Sequence, residues 1–329
     1  MTDMTKPPSD TLQEIPHPRG LHYLRLKTVV VLLRSLLRVA GLFDKPQPPL
    51  PLSFQREDAQ LPSRQQGRTI QAYVYRSTDA ADAPLPVHII WHGSGFVIPR
   101  LAGDYAYIDY HLKHLGPDCV LIDADYRKAP EHPFPAAVHD AIDIVNYCLS
   151  QPHLYDVNRI TIGGFSAGAG LALVVGAHFG PQRIAGVVAL YPVTDFIIKP
   201  DEYPLPTKHH DSGIIMPGCL TTFFLDAYFV KQEHKQHPLS SVKLADPASF
   251  PRLLVVGCKA DTLYTEALEF VASLNNAGRT DVRFISIDNE GHGFDRRPKS
   301  PESVERRDKL YKEMIEFISV CSSSATSAA

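Results

Sequence analysis

Cysteine is scarce in this chain of 329 residues: Cys119, Cys148, Cys219, Cys258 and Cys321 are the whole complement. No two of them form a C-x-x-C pair and most lie in apolar runs, so neither a thiolate metal site nor a disulfide framework is expected, and the odd count points to a reducing compartment. Charge of either sign is not in excess either, since 33 Lys and Arg against 36 Asp and Glu leave a formal net charge of -3. Without a basic footprint, nucleic acid is excluded as a partner. No H-E-x-x-H and no P-loop occurs, which removes support for a zinc site or a phosphate cradle, and His209-His210 reads as surface. Long uncharged apolar runs are missing too: the most apolar stretch, residues 23–43, is interrupted by Arg25, Lys27, Arg34 and Arg38 and is too short to span a bilayer. The first residues carry Pro7, Pro8, Pro16 and Pro18 among polar neighbours, unlike a secretory signal, so a cytoplasmic protein is expected.

What is present is an alternation. In the N-terminal segment Leu26, Val29, Val30, Leu33, Leu36 and Leu37 recur at helical spacing with basic residues between, the pattern of an amphipathic helix. Packing over the domain is the first reading of that helix, and contact with a membrane surface the second. After a proline-rich linker at 45–51, strands are expected at 69–75, 87–91, 119–124, 159–163, 184–190, 253–257 and 282–287. Helices are expected at 136–149, 167–179, 262–276 and from Pro301, where Ser300, Pro301 and Glu302 supply a cap, a preset φ and a first-turn carboxylate. Strands alternating with helices imply an α/β fold with a mainly parallel sheet covered on both faces. Residues 195–242, rich in proline and histidine, break the alternation. The expected organisation is therefore an N-terminal cap segment (1–45), a core in two parts (46–194 and 243–321), an inserted cap segment (195–242) and a disordered tail (322–329).

Four loops carry the chemistry. Gly164-Phe165-Ser166-Ala167-Gly168 stands between an expected strand and an expected helix, the context of a nucleophile elbow. Small residues two positions either side of Ser166 let backbones pass closely, and Ala167 offers an amide at a helix N-terminus to an oxyanion. His92-Gly93-Ser94-Gly95 follows an earlier strand; the amides of Ser94 and Gly95 are the favoured further donors, with Gly93 next, and His92 is read as holding the loop. A serine needs a base, and among 15 histidines His292 stands on the Gly-flanked loop after the last expected strand. Asp261, on a short loop after residues 253–257, is placed to orient it, with Asp195, Asp288 and Glu290 as runners-up otherwise read as solvated surface. The order Ser, Asp, His is that of α/β hydrolases. Phe96, Phe165, Phe223, Phe224 and Tyr228 are candidates for an apolar pocket wall or for ordinary core.

With these loops in view, the chain resembles the hormone-sensitive-lipase-type carboxylesterases of the α/β-hydrolase fold. The stretch Asp125-Tyr126-Arg127-Lys128-Ala129-Pro130-Glu131-His132-Pro133-Phe134-Pro135-Ala136-Ala137 is similar to a family segment that buttresses the active-site loops. His237 to Ser241 and Cys258 to Leu263 resemble segments around the family's acid, and Gly291-His292-Gly293-Phe294 its histidine loop. The resemblance implies Ser166, Asp261 and His292 as triad, the amides of Ser94, Gly95 and Ala167 as oxyanion hole, and a cap from the N-terminus and the insert. Two positions depart from the pattern: Ser94 replaces a glycine and Phe165 an aspartate.

The expected activity is hydrolysis of an ester with a neutral, apolar group through an acyl-enzyme, with no metal or organic cofactor and a small-molecule ester as partner, in a monomer or homodimer. Lactonase, thioesterase and natural-product tailoring reactions use the same triad. A lyase or dehydratase, or a small-molecule receptor on the same fold, is the alternative of a different class.

Overall fold

A strand buried on both faces is apolar at most positions, and so are the central strands of this protein, with His88, Asp123 and Thr161 as buried polar exceptions. The computed structural model describes residues 12–15, 20–41, 49–115, 118–198, 202 and 204–323. It contains β1 (Phe54–Pro62), β2 (Thr69–Ser77), β3 (Leu85–Trp91), β4 (Val120–Ala124), β5 (Tyr155–Phe165), β6 (Gly186–Leu190), β7 (Arg252–Cys258) and β8 (Val282–Ile287). The helices are α1 (Leu21–Gly41), α2 (Tyr105–Leu115), α3 (Ala136–Leu149), α4 (Ala167–Phe179), α5 (Gly218–Tyr228), α6 (Tyr264–Asn276) and α7 (Pro301–Ser323).

The strands form one eight-stranded sheet in the order β1-β2-β4-β3-β5-β6-β7-β8. β1 and β2 are antiparallel additions at one edge, and from β4 to β8 every pairing is parallel. Val187, Ala189, Leu253 and Val255 face one way, toward α3, α4 and α6; Val188, Leu190, Leu254 and Val256 face the other, toward α2 and α7. This period-two division makes two cores on one sheet. The parallel pairing directs the loops after β3, β5, β7 and β8 to the same carboxyl edge, where open parallel sheets build their sites.

The described part of the structure adds β1, α2 and, within the insert, α5 to the expected elements. β1 is polar and exposed along most of its length, whereas α2 buries Tyr107, Ile108, His111 and Leu112 on one face. At the start of α7 the Ser303 amide donates to Ser300 Oγ at 3.1 Å, the cap read from the sequence. The expected disordered tail falls largely on 324–329, outside the described residues; Ser322 and Ser323 belong to α7.

α1 is a helix, but its faces differ from expectation. Val30 is buried, while Val29, Leu36 and Leu37 of the expected packing stripe are exposed, along with Leu24 and Leu32. Arg34 turns inward instead: its guanidinium donates to Val97 O (3.0 Å), Ala129 O (2.7 Å) and the Glu131 carboxylate. Two carbonyls and a carboxylate satisfy a guanidinium better than a mainly apolar contact would, so the helix is rotated to serve Arg34. Among the described residues no helix is long and apolar enough to cross a membrane.

Candidate active site

β5 ends in a turn too tight for ordinary residues. Ser166 stands there at φ 54° and ψ -118°, outside the regions that L-residues favour, a conformation costing about 1–3 kcal/mol. The surroundings hold it there: the Ser166 amide donates to Leu190 O at 2.9 Å, and the backbones on either side almost touch. A Cβ on Gly164 would lie 2.4 Å from Gly168 O, and one on Gly168 only 2.0 Å from Trp91 O. Glycine at both positions lets β3, β5 and α4 converge beneath the serine.

His292 reaches the serine from the loop after β8, with Nε2 2.9 Å from Ser166 Oγ. Its Nδ1 lies 2.7 Å from Asp261 Oδ2, and Asp261 Oδ1 accepts the Leu263 amide at 3.1 Å. Asp261 is buried, so its carboxylate is directed rather than solvated. The three side chains sequence reasoning selected are thus joined in one hydrogen-bonded line.

The inserted segment, read from the sequence only as a cap, also braces the histidine loop. The His292 amide donates to Ile214 O (2.8 Å), the Ile214 amide to His292 O (3.1 Å), and the Gly291 amide to Ser212 O (2.9 Å). Gly213, at φ +82°, leaves no room for a side chain, since a Cβ there would lie 2.5 Å from Gly291 O. Glu290 anchors the same junction by accepting from the Ser212 amide, Ser303 and Arg306. Two of the runners-up therefore leave the surface reading: Glu290 and Asp195 are buried with structural partners, Asp195 holding Lys243 and the Ile197 amide. Both need that burial to fix backbone amides. Asp288 is exposed and pairs with Lys259.

The His92-Gly93-Ser94-Gly95 loop lies against the serine, and a Cβ on Gly93 would stand 3.2 Å from Ser166 Cβ. The serine at position 94 has a definite use. Its hydroxyl accepts from the Phe96 amide (2.9 Å) and bonds Tyr126 Oη (2.6 Å), which in turn donates to His92 O (2.7 Å), so the loop is tied to itself through one tyrosine. His92 is buried, with Nε2 3.0 Å from Asp125 Oδ1, and its pKa is lowered by burial and by the Lys128 charge, against the pull of Asp125. It holds the loop by that bond. The Asp125-to-Ala137 stretch continues the support: the Ala129 amide donates to Phe96 O, the Phe134 amide to Tyr228 O, and Arg127 binds Asp140 and Glu14.

A cleft of about 1810 Å³ opens over Ser166 and His292, and Gly93, Ser94, Gly95 and Ala167 line it. Of the five aromatic candidates, Phe96 and Phe224 lie on its wall, with Phe224 packed so closely on Gly95 that a Cβ there would meet its ring at 2.4 Å. The other three do not line it. Phe165 faces the opposite core, edge-on to Tyr107 at 5.4 Å, because strand alternation turns its side chain to the side covered by α2 and α7. Phe223 packs against the main core, as Phe224 does, but one step along α5 turns its side chain about 100° from the direction that puts Phe224 on the cleft wall. Tyr228 is buried behind Phe96, stacked on it at 3.9 Å. Sequence reasoning missed other wall residues. α1 contributes Leu33 and Leu37, the insert Ile214, Met216 and Leu220, and the segment after β6 Val193 and Phe196. It also missed Arg100 and Arg296; for Arg296 the signal was there, four residues beyond His292 in a loop already singled out.

A doubly covered, mainly parallel sheet with Ser166, His292 and Asp261 hydrogen-bonded at its carboxyl edge is the arrangement of an α/β hydrolase. A family model described as alpha/beta hydrolase fold matches residues 88–296, and the chain belongs to that family, the hormone-sensitive-lipase-type fold-3 group. It is 25% identical over 267 residues to an ethyl acetate hydrolase of Pseudomonas putida, covering 78% of each protein. It is 29% identical over 241 residues to the versiconal hemiacetal acetate esterase of Aspergillus parasiticus, covering 70% of this chain and 71% of that protein. A solved hyperthermophilic esterase from the archaeon Pyrobaculum calidifontis superposes with a TM-score of 0.73 at 26% identity, over 92% of this chain and 99% of that one. Other matches are partial: the aligned region spans 60% of the AB hydrolase superfamily protein C1039.03 of Schizosaccharomyces pombe and 46% of human arylacetamide deacetylase-like 2.

Proposed function

We propose that the protein is a serine hydrolase of carboxylic esters that works through an acyl-enzyme on Ser166. The observation that carries this reading is the line from Asp261 through His292 to Ser166, with steps of 2.7 and 2.9 Å. In that line Asp261 accepts a hydrogen bond from Nδ1–H and holds that tautomer, leaving Nε2 free to take the serine proton as Oγ attacks the ester carbonyl. The amides of Ser94, Gly95 and Ala167, with Gly93 next to them, receive the oxyanion, each such donor being worth about 3 kcal/mol in the transition state. His292 then protonates the leaving alcohol, and water repeats the sequence on the acyl-enzyme. No cofactor enters this chemistry. Phe96 and Phe224 favour an apolar group on the acyl or alcohol side, as do the esters named for the relatives.

The test is intact-mass analysis after fluorophosphonate treatment, beside turnover of acetate and longer acyl esters, a lactone and a thioester. One adduct on Ser166 is expected, with ester turnover falling at least about 10⁴-fold in Ser166→Ala. Absence of both label and turnover in the wild type would sink the hydrolase reading in favour of a lyase or a receptor.

A further inference from the structure

Not all of the cleft wall is apolar. The turn after His292 (Phe294–Arg296) and the loop before α2 bring Arg100, Arg296 and Arg297 into the same cleft as the nucleophile, around Asp104. Arg296 Nε donates to Asp104 Oδ1 at 2.6 Å. Its Nη2 is buried without a hydrogen-bond partner among the described residues, and so are Arg100 Nε and Asp104 Oδ2. A Cβ on Gly93 would stand 2.4 Å from that Nη2 and 3.2 Å from Ser166 Cβ, so the guanidinium rests against the proposed oxyanion loop, beside the nucleophile.

The other neighbouring carboxyl groups are engaged elsewhere. Asp295 is buried and both its oxygens accept tyrosine hydroxyls, from Tyr191 and Tyr311, each at 2.8 Å. Asp123 accepts the Ala102 amide, and burial, aided by the charges of Asp104 and Asp125, pushes its pKa up to about 8, which keeps it neutral at neutral pH. Arg100 has its pKa lowered, first by burial and then by the charge of Arg296, with Asp104 opposing. A purely structural ion pair needs one cation for its carboxylate and leaves no buried N–H unmet, because an unpaired buried donor is costly. Arg100 and Arg296 gather around Asp104, and both line the cleft that holds Ser166.

We propose that this cluster is a carboxylate subsite: the substrate is an ester bearing a second, anionic carboxylate, received by Arg100 and Arg296 while the ester carbonyl lies over Ser166. Planar guanidinium forks match a carboxylate's two oxygens, and a desolvated site strengthens the pairing. The apolar wall then holds the remainder of the molecule. This inference rests on the hydrolase reading and specifies its substrate.

Two matched pairs of esters test it: monoethyl adipate against ethyl hexanoate, and the acetate of 4-hydroxybutanoate against butyl acetate. At least one anionic ester is expected to exceed its neutral counterpart by about tenfold in kcat/KM, the ratio shrinking as salt is raised. In Arg100→Gln that ratio falls toward one; Arg100→Lys, which keeps charge but not the fork, lies between and serves if the glutamine variant does not fold. Neutral esters turned over as well as anionic ones, with a ratio unmoved by Arg100→Gln, would overturn the subsite and leave the hydrolase intact. If no ester is turned over and Ser166 takes no label, the hydrolase reading itself has failed. Calorimetric titration of Ser166→Ala with monoethyl adipate and ethyl hexanoate then reads the carboxylate preference directly, and equal affinity or no binding overturns it as well.

Discussion

The sheet edge and the cap build opposite sides of one cleft by different means. At the edge, position is set by backbones in near contact: Gly164, Gly168 and Trp91 converge under Ser166 with no space for a methyl group. In the cap, α1 is attached through Arg34 and a limited buried surface, while Leu32 and Leu36 stand 65% and 66% exposed. The difference teaches where precision is held. Ser166, the proposed nucleophile, sits on the part that cannot shift without a clash, and part of the cleft wall sits on a segment held by a few side chains.

The sharpest way to break this contrast is Gly168→Ala. The added methyl would lie 2.0 Å from Trp91 O and 2.7 Å from His92 O, and neither backbone atom can rotate away. Relief requires moving α4 from β3, which displaces the His92-Gly93-Ser94-Gly95 loop from the serine. The expected cost is about 3 kcal/mol or more of unfolding free energy in urea titrations, together with loss of ester turnover. A variant as stable and active as the wild type would mean that the edge yields as readily as the cap.

Much of this edge was legible before the structure. Strands buried on both faces read as apolar runs, and the turns leaving them are marked by small residues whose purpose is steric, so Ser166, Asp261 and His292 were chosen from loop position alone. The cap side was not. In α1 the basic residues alternate with apolar ones, and the pattern assigned Arg34 to the outer face with the other cations, so periodicity did not reveal that it turns inward. β1 is too polar to announce itself, and the pairing of Ser212 and Ile214 with the His292 loop joins residues about 80 apart without a local pattern. Glu290 was misread for the same reason, since a carboxylate serving distant amides resembles a surface residue in sequence.

A smaller effect sharpens the comparison through pH. Asp123 lies on β4 at the cleft end of the core, buried, with its pKa pushed up to about 8, mainly by burial. Between the ordinary carboxylate range near 4 and about 8, the folded chain keeps a proton that the unfolded chain has released, so rising pH favours unfolding through that window. The loss approaches about 1.4 kcal/mol per pH unit and ends above the folded value. Asp123→Asn retains an acceptor for the Ala102 amide and removes the titration. Its unfolding free energy relative to wild type is expected to rise steadily from about pH 5 to 8. Parallel curves for the two proteins would show that Asp123 ionises normally.

The smallest effect is expected on the outward face of α1. Truncating a buried core leucine such as Leu254 to alanine costs about 2–5 kcal/mol, because a cavity is left as well as surface exposed. Leu36 and Leu32 leave no cavity when shortened, since most of each side chain already meets solvent in the isolated chain. Serine at both positions should change the unfolding free energy by no more than about 0.5 kcal/mol per site, and serine's slightly lower helix propensity accounts for part of that. A loss of about 2 kcal/mol or more would mean that this face is covered in solution, and sedimentation of the variant beside the wild type would show whether a second copy of the chain provides the cover. The cap would then owe its position to assembly rather than to Arg34, and the contrast between a rigid edge and a lightly held cap would apply to the isolated chain alone.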